Sequence, residues 1–104
     1  MKRIWYWRSS NGIRHRPHEM ETKYLFYVLK MLWNHFMPEE ARIEPYVERH
    51  FGKAYPEEYL REAIQKIGRE LLTRRDMYKA HRREFERMLN WTIITETGIE
   101  KFIK

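Results

Sequence analysis

Eleven of the fourteen residues from Tyr24 to Met37, YLFYVLKMLWNHFM, are apolar or aromatic, and Pro38 ends the run. A helix apolar on nearly every side has to be surrounded by other elements, so this stretch predicts the central helix of the fold. Its few polar positions, Lys23, Lys30 and Asn34 with Tyr27 beside them, share one narrow stripe that is expected to face water. The run is too short, and interrupted by Lys30, to span a bilayer. Lys2 and Arg3 are not followed by the apolar core of a signal peptide. The expectation is a soluble, cytoplasmic protein with no membrane partner.

The surrounding pattern predicts a mostly α fold of three main helices with an N-terminal β-hairpin, an α+β arrangement forming one compact domain over residues 1–104. Residues 1–17 read as a basic, aromatic hairpin arm and residues 18–104 as a helical body. Asn11-Gly12 suits a type I′ turn and lies between IWYWR and IRHR, both able to extend. In the first strand Trp5 and Trp7 would share one face, and Ile4 and Tyr6 the other. The first helix is expected from Pro17 or His18 to Met37, with a short helix over Pro45 to His50. A second follows from Pro56, where Leu60, Ile64, Ile67 and Leu71 recur at helical spacing. Glu57 with Arg61, and Glu70 with Arg74, are placed to pair on its solvated side. Asp76, the only aspartate, is positioned to cap a third helix from Met77 to about Thr92. On that helix Tyr78, Phe85, Met88, Leu89 and Thr92 would turn inward. The β-branched run Thr92 to Thr95 weakens its end, and Ile99, Phe102 and Ile103 suit a last turn or a strand.

Charge is concentrated at one end. Lys2, Arg3, Arg8, Arg14 and Arg16 precede the first acid and carry most of the net +6. Seven glutamates make the Pro38 to Glu62 region locally acidic. Such polarity favours an oriented encounter with a charged partner.

Three groups of residues bear on function. His15 and His18 stand at the spacing of a metal pair, with His35 and His50 as companions. Structural zinc sites usually contain cysteine, and the chain has none, so no metal or cofactor is expected. Arg3, Trp5, Trp7, Arg8, Arg14 and Arg16 combine guanidinium groups, which bind phosphate bidentately, with rings able to stack on exposed bases. The plainer alternative is a hairpin whose tryptophans pack on the first helix. Lys79, Arg83 and Arg87, flanked by Arg75 and Arg82, follow one another at i, i+4, i+8 and suit a phosphate backbone. Glu84 and Glu86 share that helix, so a solvated helix face is the alternative there. Catalysis is not expected, because the only serines, Ser9 and Ser10, lie at the turn and there is no phosphate-binding glycine loop.

The segment ETKYLFYVLKMLWNHFMPEEARI resembles small proteins carried by bacteriophages and prophages, many without an assigned activity. It contains no motif with known chemistry. The resemblance implies a phage accessory role, counter-defence proteins being one such class. The expected function is therefore non-catalytic binding to nucleic acid, or to a complex that handles it, through the basic aromatic surface. The competing expectation is a protein-interaction module, such as a phage inhibitor.

Overall fold

The aromatic run does form the central helix. In the computed structural model, which describes residues 4–95 and 98–102, α1 spans Thr22–Phe36. Leu25, Phe26, Leu29, Leu32 and Trp33 are each at most 1% exposed, and full burial of such side chains contributes about 1.5–3 kcal/mol apiece. The helix begins later than expected, because Pro17–Glu19 forms a separate 3-10 turn and both Met20 and Glu21 are extended. Arg74 explains the break. Its guanidinium donates to the carbonyls of Pro17, His18 and Met20 at 2.8 to 3.3 Å, satisfying groups that a continuous helix would have used.

At the other end Pro38 stops α1, and Glu39–Ala41 turns back beneath it. Trp33 Nε1 donates to the Ala41 carbonyl at 2.7 Å, and Asn34 Oδ1 accepts from the Ile43 amide at 2.7 Å. Asn34 is therefore buried, contrary to the expected solvent stripe, because its amide side chain substitutes for the helix in holding this loop. Lys30 departs from the stripe as well, lying 2.9 Å from Glu84 and 3.4 Å from Glu44. Burial would lower its pKa, but hydrogen bonds and attraction to the two glutamates outweigh that and raise it above the ordinary 10.5.

No helix forms over Pro45 to His50. Tyr46 and Val47 are 47% and 57% exposed, so a helix there would have no buried face to offset its nucleation. The next helix, α2, spans Glu57–Leu72 and packs Leu60, Ala63, Ile64, Ile67 and Leu71 against α1. Arg61 and Glu57 pair in solvent at 3.1 Å as expected. The 2.9 Å pair between Arg74 and Glu70 is instead largely covered, since Arg74 also holds the 17–20 segment.

A third helix, α3, spans Lys79–Leu89 and starts two residues after the predicted position. Asp76 does not cap it. Its carboxylate accepts the Thr22 hydroxyl at 2.6 Å, and that bond first of all holds its pKa below the usual carboxylate value. Tyr78 consequently remains outside, 59% exposed, while Phe85 and Met88 turn inward. Beyond α3 the β-branched run leaves the helix altogether. Thr92–Thr95 forms β3, which pairs antiparallel with β4, Gly98–Phe102. Branched side chains fit a pleated surface better than a helical turn, which accounts for the change. Ile99 of β4 is buried against Gly68 of α2.

The N-terminal hairpin is present, with Trp7–Arg8 as β1 and Arg14–His15 as β2. Its turn differs from type I′. Only Gly12 has a positive φ, at 83°, and the Gly12 amide donates to the Ser9 carbonyl. That is the three-residue pattern in which a turn is followed by one left-handed glycine. Asn11 reaches the same end through its side chain, whose oxygen accepts from the Ile13 amide and from the Ser9 hydroxyl. Among the described residues no helix is long and apolar enough to cross a membrane.

Candidate nucleic-acid interface

Two tyrosines of the α2 end of the molecule fix the hairpin in place. The Tyr59 hydroxyl donates to the Tyr6 carbonyl at 2.6 Å and accepts from the Arg8 amide at 2.9 Å. The Tyr55 hydroxyl donates to the Arg8 carbonyl at 2.7 Å. These bonds take up backbone groups that a two-stranded hairpin leaves unpaired. Burial raises the Tyr59 pKa above 10.0, although bonds and charge from Arg8 act in the opposite direction, so the phenol keeps the proton it donates.

The same rings hold the tryptophans. Trp5 stacks on Tyr59 with centroids 5.4 Å apart, and Trp7 stacks on it at 6.0 Å with an interplanar angle of 7°. Trp7 is only 4% exposed and belongs to the core, so its ring is not offered to a base. Trp5 is half-buried and forms the ridge between two open grooves. One, of about 230 Å³, is lined by Tyr6, Arg8 and Arg14. The other, of about 390 Å³, is lined by Arg16, His18, Lys66, Arg69 and Glu70.

The cations divide into two sets. Arg8 lies over the Tyr59 ring at 4.5 Å, and Arg14 lies 6.0 Å from the Tyr6 ring, so rings rather than acids orient them. Arg14 and Arg16 are exposed. Glu70, the acid lining the larger groove, is already engaged by Arg74. Arg3 falls outside the described residues. Lys79, Arg83 and Arg87 are exposed on α3, as is Arg75 before it. Helix α3 packs on β3 and meets α1 through His81 and Glu84, while the hairpin is fixed to α2. The two basic sets thus occupy different parts of the fold. Arg82 is partly committed, donating to the Arg74 carbonyl at 3.3 Å.

Sequence reasoning missed Tyr55, Tyr59 and Lys66. The available signal was two tyrosines four residues apart at a helix start, which brings their rings to one side. His15 lies against Tyr24 and His18 is exposed beside Glu19. Among the described residues no group of three or more His, Asp or Glu side chains is placed to hold a metal ion. No protein-family model, curated protein or solved structure matches the chain.

Proposed function

We propose that this protein is a non-catalytic binding protein that engages single-stranded nucleic acid, alone or within a complex that handles it, through the hairpin face. The observation that carries this reading is the pair of grooves beside Trp5, where Arg8, Arg14, Arg16 and Lys66 converge while Glu70 is occupied by Arg74. A guanidinium held against a ring, as Arg8 is on Tyr59, is oriented by it, which suits it to bind phosphate oxygens. Concave geometry also distinguishes this face from the exposed helical row on α3. A non-catalytic role is in keeping with the Ser9 hydroxyl, which is engaged with Asn11 and with the Ile13 carbonyl inside the turn.

The test is binding of single-stranded DNA and RNA across a salt series. Replacing Arg8, Arg14 and Arg16 with Gln should weaken binding and reduce the log–log salt slope by about two, given about 0.7 per phosphate contact on a single strand. Replacing Lys79, Arg83 and Arg87 with Gln should change the slope by less. Absence of wild-type binding to either polymer at low salt would overturn the reading and leave a protein partner as the proposal.

A further inference from the structure

The face that binds phosphate still needs a place for bases, and the tryptophans do not supply one, because Trp7 is in the core and Trp5 is half-covered by Tyr59. A third groove is lined in part by the hairpin turn. It has a volume of about 420 Å³, and its walls include Tyr24, Tyr27, Met31, Phe51 and Tyr55, the buried Trp7 behind them, and Ser9 and Ser10 of the turn. Tyr24 and Tyr27 are 39% and 48% exposed although they sit on the most buried helix of the fold. Three residues apart on α1, they present neighbouring rings to the groove.

We infer that this groove is the base-stacking site of the protein and that its occupant is a nucleobase of a single strand whose phosphates lie on the hairpin arginines. The inference rests on the function proposed above. Its lining is aromatic and apolar with no carboxylate, so a planar uncharged ring is favoured there over a cationic side chain. The Lys23 ammonium, outside the groove, lies 5.9 Å from the Tyr27 ring that forms part of its wall, and His50 lines the groove itself. Charge at the edge with aromatic faces inside is the combination that recognises a base carried on a phosphate chain. Ser9 and Ser10, which line the groove, belong to the turn that joins Arg8 of β1 to Arg14 of β2. A phosphate chain crossing the turn would pass from one surface to the other.

The experiment compares an oligothymidylate of about ten nucleotides with an abasic deoxyribose-phosphate chain of the same length. Wild-type protein should bind the oligothymidylate about tenfold tighter than the abasic chain. The double variant Tyr24→Ala, Tyr27→Ala should lose that advantage and bind both chains alike, with an unchanged salt slope. Tyr24→Phe, Tyr27→Phe should retain it, since the stacking face is kept. Both rings are partly exposed, and circular dichroism checks that each variant is folded. If wild-type protein binds the two chains equally, or if the alanine variant retains the full preference, the stacking site is overturned while phosphate binding stands. If wild-type protein binds neither chain at low salt, the function proposed above falls as well.

Discussion

Both hairpins of this protein dock on α2, and they do so by opposite means. The N-terminal one is held by two large residues that reach out from the helix region, Tyr55 and Tyr59, whose hydroxyls bond its backbone; the Tyr59 ring stacks on both tryptophans and the Tyr55 ring lies tilted against Trp7. The C-terminal one is admitted by the absence of a side chain, since a Cβ on Gly68 would come within 2.6 Å of Ile99 Cδ1. The first arrangement leaves ridges, grooves and oriented cations around the contact. The second leaves a close-packed seam. Grooves and oriented cations therefore arise where docking relies on protruding polar rings, and a tight contact where it relies on close approach.

The largest effect that tests this contrast is the loss of Tyr59. Tyr59→Ala removes two hydrogen bonds and the stacking partner of Trp5 and Trp7, and should cost about 3 kcal/mol in denaturant unfolding. Tyr59→Phe separates the contributions. It keeps the ring but leaves the Arg8 amide and Tyr6 carbonyl without a protein partner, and should cost about 1–2 kcal/mol. If Tyr59→Ala were nearly neutral, the hairpin would be held by something other than this ring, and the grooves beside Trp5 would lose their scaffold.

How much of this was legible beforehand follows the range of the interactions. The central helix, the apolar face of α2 and the place, though not the type, of the turn at Gly12 rest on local patterns, and they were readable from Tyr24 to Met37, from Leu60 to Leu71 and from Asn11-Gly12. Asn34 was misplaced because its value as a loop-holding acceptor depends on where the Ile43 amide returns. Asp76 looked like a cap from its neighbours alone, whereas its partner, Thr22, lies 54 positions away in the chain. At the candidate site the arginines were visible as uncompensated charge. The burial of Trp7 was not, because the segment Ile4 to Arg8 carries aromatic residues on both faces and the tyrosine that covers Trp7 comes about fifty residues later. Thr92 to Thr95 is the instructive case on the other side, where the branched residues signalled the end of a helix and the pairing that makes them a strand depends on β4.

A smaller effect is expected at the seam. Gly68→Leu places branched bulk where Ile99 sits and should cost about 1–3 kcal/mol, the usual range for overpacking a well-filled interior. The loss should be accompanied by faster amide exchange in β3 and β4, with exchange in β1 and β2 unchanged, because the two hairpins are anchored to α2 independently. Equal loosening of both would show that α2 transmits the strain and that the two docking modes are not separable.

The smallest effect is the most discriminating. Gly68→Ala adds only the Cβ, and alanine is favoured over glycine inside a helix by about 1 kcal/mol. Against that gain stands the contact at 2.6 Å, but the atom facing it is the end of the Ile99 side chain, which can rotate rather than force the backbone apart. An off-rotamer shift of that kind costs about 0.5–1.5 kcal/mol, so the two contributions nearly cancel and the net change in unfolding free energy should lie within about 1 kcal/mol of zero. A loss well beyond about 2 kcal/mol would mean that Ile99 is locked by its neighbours and that the seam tolerates no atom at all. The full propensity gain, with no offset, would mean that β4 sits farther from α2 than the contact at Gly68 implies, and the contrast between the two hairpins would lose its second half.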